Sequence, residues 1–151
     1  MTKSLILYFS MSGSTKKAAQ QLQRLTDADM FRIESKDPYP MDYSQYAEVA
    51  ENQMNNNIHP DIKKLPDFTE YDQIYVGFPA WWAMPPMIIH TLFEKSDLSD
   101  KNILGFITSM STSAEEVAPT FKKLVTAANA NYLGIYRAPI SDRNLKAIFK
   151  N

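Results

Sequence analysis

Apolar runs alternate with amphipathic segments along the whole chain. The predicted strands are the continuous apolar runs at 5–9, 74–78, 103–107 and 132–136, together with the alternating segment 30–34. A strand that is apolar at every position is typical of a parallel sheet buried on both faces. The alternation from Phe31 onward indicates a less buried strand at or near an edge.

Apolar residues at helical spacing predict five helices between and after these strands. Their apolar faces are Ala18, Leu22 and Leu25; Tyr43, Tyr46, Ala47, Ala50 and Met54; Ile88, Ile89, Leu92 and Phe93; Val117, Phe121, Leu124, Val125 and Ala128; and Leu145, Ile148 and Phe149. Asp42 or Ser44 is expected to cap the second helix, and Ser141 the last. Pro119 fits the fourth helix only if that helix starts late or kinks. The alternation predicts an α/β fold, an open parallel sheet wrapped by helices, as one domain over residues 1–151.

No segment is predicted to enter a membrane or to direct secretion. Residues 73–93 carry no formal charge, but Gly77, Pro79, Pro85 and Pro86 interrupt them, so strand, loop and helix are expected there. The two adjacent prolines suit the first turn of the third helix, which tolerates proline. The first strand begins within a few residues of the start without a charged, apolar leader, so no signal peptide is expected.

Composition narrows the possible chemistry. The 151 residues include no cysteine and carry a formal net charge of −1. Without thiols there is no thiol nucleophile and no CxxC redox pair, so redox chemistry requires a bound cofactor. The lack of cysteine also suits a reducing cytoplasm, where we expect the protein. The near-neutral charge argues against nucleic acid and membrane surfaces as partners, which leaves small molecules and soluble proteins.

Ligands of such a sheet bind beyond the carboxyl ends of its strands. Three segments lie there: residues 10–15 (the first loop), 78–83 (the second loop) and 108–113 (the third loop). None contains an acidic, basic or histidine side chain, so neither a catalytic residue nor a metal ligand is predicted among them. His59 and His90 fall in different elements without a carboxylate cluster, and we interpret them as structural. The protein is therefore expected to supply shape and dipoles while a ligand supplies reactivity.

The first loop has four hydroxyl side chains and one glycine directly ahead of a helix. Hydroxyls and the unpaired N–H groups of a helix N-terminus together make a phosphate cradle. A serine N-cap with solvated neighbours explains the same residues. The segment contains neither GK[ST] nor GxGxxG, so it is not a Walker loop or a dinucleotide fingerprint. Both interpretations stay open at this point.

The second loop holds both tryptophans of the chain, Trp81 and Trp82. Aromatic faces stack on flat conjugated rings. Adjacent residues of an extended segment point to opposite sides, so we expect one tryptophan to face the core and the other the crevice.

The first two loops resemble the flavodoxin-like family, in particular its short single-domain members. The family motif Ser/Thr-x-Thr-Gly-Asn-Thr is matched by Ser10, Gly13 and Thr15, and Gly-(Phe/Tyr)-Pro-x-Trp-Trp-Gly by Gly77, Phe78, Pro79, Trp81 and Trp82. The resemblance implies a five-stranded parallel sheet of order 2-1-3-4-5 with helices on both faces, and non-covalent FMN as cofactor. The residues implied to bind FMN are Ser10, Met11, Ser12, Gly13, Ser14 and Thr15 around the phosphate, Pro79, Ala80, Trp81, Trp82 and Ala83 beside the isoalloxazine ring, and Thr108, Ser109, Met110 and Ser111 on its pyrimidine side.

Two departures from the family pattern concern glycines. The third loop reads Thr-Ser-Met-Ser-Thr-Ser where the family has Thr-x-Gly-Gly-Ser-Gly, so a different approach to the flavin is expected, with Met110 covering it. Ala83 stands where the family usually has glycine, and alanine resists a positive φ. We therefore expect a peptide flip at this position to be disfavoured and the one-electron reduced flavin to be less stable than in carrier flavodoxins.

The resemblance implies an FMN-dependent oxidoreductase or electron-transfer protein that passes electrons to a quinone-like small molecule or a redox protein. Carrier flavodoxins are typically strongly acidic, so the near-neutral charge favours a small-molecule acceptor. The alternative is a flavin-free α/β module that binds another anion or a protein, which the missing third-loop glycines favour. Enzymatic activity, the electron donor and the oligomeric state, a homodimer included, stay open.

Overall fold

The computed structural model describes residues 3–149. Its elements are β1 (Lys3–Tyr8), α1 (Ser14–Thr26), β2 (Asp29–Arg32), α2 (Tyr43–Asn55), β3 (Tyr71–Pro79), α3 (Met87–Lys95), β4 (Asn102–Thr108), α4 (Ala114–Ala127), β5 (Asn131–Arg137) and α5 (Asp142–Phe149). Residues 1, 2, 150 and 151 of the predicted domain lie outside the described residues. The expected lack of a signal peptide rests partly on residues 1 and 2.

The five strands form one parallel sheet in the order β2-β1-β3-β4-β5. This confirms both the predicted fold class and the predicted order. β2 lies at one edge, as its alternating pattern indicated, and β5 lies at the other. Strand order reverses between β1 and β3, which puts the ligand crevice of such a sheet above the ends of these strands.

Alternate residues of the central strands feed two cores, one on each face of the sheet. In β1 and the residue after it, Leu5, Leu7 and Phe9 belong to the core shared with α3 and α4, whereas Ile6 and Tyr8 pack on the α1 side. Both faces are covered, so the run from Leu5 to Phe9 is apolar at every position. The sheet is thereby held as a rigid platform for the loops at its end.

Several boundaries differ from the predicted ones. β3 begins at Tyr71, three residues before the apolar run, because its first residues pair with β1 despite being polar. Pro86 is the N-cap of α3, so Pro85 and Pro86 precede the helix and do not fill its first turn. α4 begins at Ala114 and contains Pro119, so of the two alternatives, a late start or a kink, the late start is wrong. Asp42 caps α2 and Ser141 caps α5, as predicted.

The apolar face of α2 is only partly buried. Of its five predicted face residues only Ala50 is buried, and Tyr43 is 73% exposed. Tyr46 is partly buried against the core and lies beside Trp81 of the second loop, whereas Tyr43 is exposed and contacts Tyr46. Within residues 3–149, no helix combines the length and the apolar character needed to cross a bilayer.

Candidate functional site

The three loops meet at the carboxyl ends of β1, β3 and β4. The hydroxyls of Thr15 and Thr108 lie 2.8 Å apart and share a hydrogen bond, which joins the first loop to the third. The backbone N–H of Ala80 donates to the Thr108 carbonyl at 3.1 Å, which joins the second loop to the third. Residues widely separated in sequence are thus brought to one crevice, as the sheet topology predicted.

The first loop leads into an N-terminus of α1 that has no side-chain cap. Gly13 is the N-cap, with φ +94°, a conformation that side chains other than glycine rarely adopt. No serine occupies the N-cap position, so the capping interpretation does not explain the hydroxyls. The buried Ser10 hydroxyl instead accepts from the backbone N–H groups of Gly13 (3.2 Å) and Lys16 (3.4 Å) from outside the helix.

The charge around this terminus favours an anion. The first turn of α1 has no acidic side chain, and Lys16 and Lys17 are exposed there. The positive charges of these lysines repel the partial positive charge at the helix N-terminus, whereas a bound anion is attracted to both. The N–H groups of Ser14 and Thr15 have no acceptor within the helix, because they belong to its first turn. The arrangement fits a phosphate group better than a solvated helix end.

The second loop makes a two-residue hairpin turn between Trp81 and Met84. Their backbones exchange hydrogen bonds of 3.0 and 2.9 Å, and the central residues Trp82 and Ala83 have φ of +51° and +59°. The expectation that Ala83 avoids a positive φ is therefore wrong: the two hydrogen bonds hold it there. A left-handed conformation costs about 1–2 kcal/mol per non-glycine residue, so this turn stores strain, a feature that clusters at functional sites.

The two tryptophans separate as predicted. The Trp81 ring packs edge-on against Phe9 with centroids 5.6 Å apart, and it also contacts the rings of Tyr39 and Tyr46. Trp82 is 48% exposed. Burial raises the pKa of Tyr39 to about 12, so this phenol stays neutral and donates to the Gln53 side chain.

A cavity of about 200 Å³ separates α2 from the second loop. Four aromatic rings and three alanines line it, and no charged residue does: Tyr43, Tyr46, Ala47, Ala50, Ala80, Trp81 and Trp82. Tyr43 and Tyr46 of α2 are therefore walls of this cavity.

Serine side chains close the third loop, which lacks the glycines of the family pattern. The Ser109 hydroxyl donates to the Thr112 carbonyl at 2.5 Å, and Ser113 caps α4 in a reciprocal capping box with Glu116. Met110 is 98% exposed, so its side chain is available to cover a ligand.

Sequence reasoning missed two arginines at this site. One guanidinium nitrogen of Arg137 donates to the carbonyls of Ser109 (2.9 Å) and Met110 (2.7 Å), and Arg32 donates to the Ser10 carbonyl at 2.8 Å. Each arginine is the last residue of an edge strand. Their position at the ends of predicted strands could have indicated that they lie near the crevice, because all strands of a parallel sheet end at the same side.

The two histidines are closer together than their positions in sequence suggested. Nδ1 of His59 lies 2.5 Å from a carboxylate oxygen of Glu94, and the His59 and His90 rings are 5.3 Å apart. Burial, with a smaller contribution from His59, lowers the pKa of His90. Among the described residues no group of three or more His, Cys, Asp and Glu side chains is placed to hold a metal ion.

Comparisons with known proteins agree with this architecture. The chain is similar to a proposed flavoprotein from Bacteroides eggerthii (27% identity, covering 99% of this chain and 97% of that one, TM-score 0.85). It is similar to a Lactobacillus acidophilus flavoprotein solved in complex with FMN (27% identity, 99% of both chains, TM-score 0.82). Oxidised flavodoxin 2 from Bacillus cereus shares the fold (18% identity, 99% and 94% coverage, TM-score 0.55).

Sequence comparison assigns the family directly. No curated protein sequence matches the chain. The family model described as flavodoxin matches residues 3–151, nearly the whole chain. With the sheet order, the open helix terminus and the tryptophan loop, this match shows that the chain belongs to the flavodoxin family.

Proposed function

We propose that this protein binds FMN without a covalent bond and acts as an oxidoreductase or electron-transfer flavoprotein. The observation that supports this most is the N-terminus of α1, which has a glycine N-cap, no acidic residue in its first turn and two nearby lysines. When bound, FMN supplies the redox chemistry, since it accepts electrons or hydride at N5. The protein supplies binding, orientation and electrostatics.

The phosphate of FMN fits the first loop. The N–H groups of Ser14 and Thr15 point out of the first helical turn, and the hydroxyls of Ser12 and Ser14 lie beside them, 3.3 Å apart and exposed. No carboxylate occupies this position. A dianionic phosphate therefore meets donors and positive charge only.

The isoalloxazine ring fits between the second and third loops. The turn at Trp82 and Ala83 is held rigidly by its two hydrogen bonds, and Trp81 is fixed by its contacts with Phe9 and Tyr39. Such fixed aromatic walls bind a flat ring with little loss of side-chain freedom. The third loop provides Met110 as an adaptable cover.

The acceptor is a quinone-like small molecule in this proposal, with a redox protein as the other possibility. The formal net charge of −1 gives the protein no strong field for steering a basic protein partner. The uncharged aromatic cavity beside the second loop supports a neutral, planar small molecule.

Titration of the flavin-free protein with FMN and with riboflavin tests the binding. Riboflavin lacks the phosphate, so we expect it to bind at least about 100-fold more weakly, and saturation with FMN at 100 times its Kd should add about 2.7 kcal/mol of stability. Equal binding of both flavins would refute the phosphate site. Binding of inorganic phosphate with no binding of FMN would identify a flavin-free anion-binding module.

Turnover assays then separate the possible acceptors. Electron transfer from reduced nicotinamide cofactors to a panel of quinones supports the oxidoreductase function. A protein that binds FMN but reduces no quinone is assigned instead to electron transfer between proteins.

A further inference from the structure

The two arginines at the ends of the edge strands occupy matching positions on either side of the crevice. In the strand register Arg32 pairs with Tyr8 of β1, and Arg137 pairs with Ile107 of β4. Each guanidinium then reaches a carbonyl two residues beyond its register partner, that of Ser10 or Ser109. The sheet order β2-β1-β3-β4-β5 is symmetric about β3, so the arginines approach the first and third loops from opposite outer sides.

Peptide geometry links these hydrogen bonds to the crevice. In a planar trans peptide the C=O and the following N–H point in opposite directions. Because the Ser10 carbonyl points outward to Arg32, the N–H of Met11 points inward. The carbonyls of Ser109 and Met110 point outward to Arg137, so the N–H groups of Met110 and Ser111 point inward as well.

Two successive N–H groups that point the same way form a concave donor site for an electronegative atom. The third loop has this arrangement at Met110 and Ser111 although it lacks the glycines of its relatives. No ion pair with a carboxylate is found for either arginine within residues 3–149. Their hydrogen-bonding capacity is directed to loop carbonyls, and their positive charge stays near the crevice.

We propose that Arg32 and Arg137 are positioning residues that hold the first and third loops in a donor-inward conformation before a ligand arrives. The identity of that ligand as FMN rests on the proposed function. Arg32 acts on the phosphate side, through Met11, whereas Arg137 acts on the ring side, through Met110 and Ser111. The two arginines therefore differ in which part of FMN each serves.

This difference gives a crossed test with two flavins. Arg32→Met should weaken FMN binding about 5-fold and leave riboflavin binding unchanged, because only FMN has the phosphate. Arg137→Met should weaken both flavins by a similar factor of about 5. Arg143→Met removes the same charge from the exposed surface of α5 and should change neither affinity.

For Arg137 the crossed pattern separates positioning from simple charge attraction. If Arg137 acted only through its charge on the phosphate, Arg137→Met would weaken FMN binding and spare riboflavin. Arg137→Lys keeps the charge without the planar guanidinium, so we expect it to bind both flavins more weakly than the wild type. Thermal unfolding of each flavin-free variant shows whether the fold is retained.

Amide proton NMR of the wild-type protein reads the donors directly. Saturation with FMN should shift the amide protons of Met11, Met110 and Ser111 downfield, as new hydrogen bonds do. If FMN saturates the protein while these three protons stay unmoved, or if both variants keep wild-type affinities, the positioning role is wrong and the proposed function stands. If FMN does not bind to the wild type at all, the proposed function itself fails.

Discussion

The first and third loops have nearly the same composition, but the helices that follow them are capped differently. Both follow a central strand, precede a helix and consist of hydroxyl residues with a methionine: Ser-Met-Ser-Gly-Ser-Thr at 10–15 and Thr-Ser-Met-Ser-Thr-Ser at 108–113. The third loop ends in a complete capping box at α4, whereas the first leaves α1 without a side-chain cap.

Two positions account for the difference. The N-cap is Gly13 in α1 and Ser113 in α4, and the third helical residue is Lys16 in α1 and Glu116 in α4. Serine and glutamate satisfy the helix end internally. Glycine and lysine leave donors and positive charge available for an anion. Hydroxyl content alone therefore does not make a phosphate site; the N-cap and the third residue decide.

Exchanging these two positions should have the largest effect. The double variant Gly13→Ser/Lys16→Glu gives α1 the capping pair of α4, so the N-terminus becomes occupied and negatively charged. We expect FMN affinity to fall at least about 100-fold, or about 2.7 kcal/mol, and the thermal stability of the flavin-free protein to fall as well, because serine is strained at the φ of +94° that Gly13 adopts. Flavin fluorescence titration and thermal unfolding measure the two quantities.

The control for this exchange is Lys123→Glu, which makes the same charge change at an exposed position within α4. It should leave FMN affinity within about 2-fold of the wild type. Retained affinity in the double variant would show that the two helix ends do not differ in function.

Removing the bond between the two loops should have the next largest effect. Thr15 is buried, with 1% of its surface exposed, and its hydroxyl bonds to that of Thr108. Thr15→Val keeps the shape but leaves Thr108 without this partner, so we expect about 10-fold weaker FMN binding and about 1 kcal/mol lower stability. Thr126→Val, at a hydroxyl that bonds only within α4, should preserve FMN affinity.

Opening the capped helix should affect stability alone. Ser113→Ala removes the α4 capping box, which should lower the free energy of unfolding by about 1 kcal/mol in urea denaturation. FMN affinity should stay within about 3-fold, since this helix end does not hold the phosphate in our proposal. A large loss of affinity with unchanged stability would reverse the roles that we assign to the two loops.

Neutralising one lysine should have the smallest effect. Lys16→Met removes an exposed charge from the first turn of α1, so FMN binding should weaken about 3-fold at low salt, and the difference should shrink toward zero near 1 M salt. Lys123→Met is the matched control in α4. A difference that persists at high salt would indicate lost contact and not lost charge.

The strands and their order were predictable because β1, β3 and β4 each contain a continuous apolar run and the loop motifs resemble one family. Helical periodicity predicted the apolar face of α2, but it does not reveal that Tyr43 and Tyr46 line a cavity beside the second loop. Periodicity records that a side chain is apolar and leaves open which neighbour it meets.

The backbone conformation of the second loop could not be predicted from the sequence either. The preference of alanine against a positive φ is a local tendency, and it predicted the wrong conformation at Ala83. Two hydrogen bonds between Trp81 and Met84 outweigh it. Such strain is maintained by surrounding structure, which a local propensity does not contain.

The sequence by itself determined the parallel α/β architecture, the three segments at the crevice and the condition that any redox chemistry needs a bound cofactor. These features follow from hydrophobic pattern and composition, which can be read along the chain. Only the tertiary structure decided which helix end stays open and what holds the loops. Arg32 and Arg137 lie 22 and 28 residues from the carbonyls of Ser10 and Ser109, and only strand order and register bring them within hydrogen-bond distance.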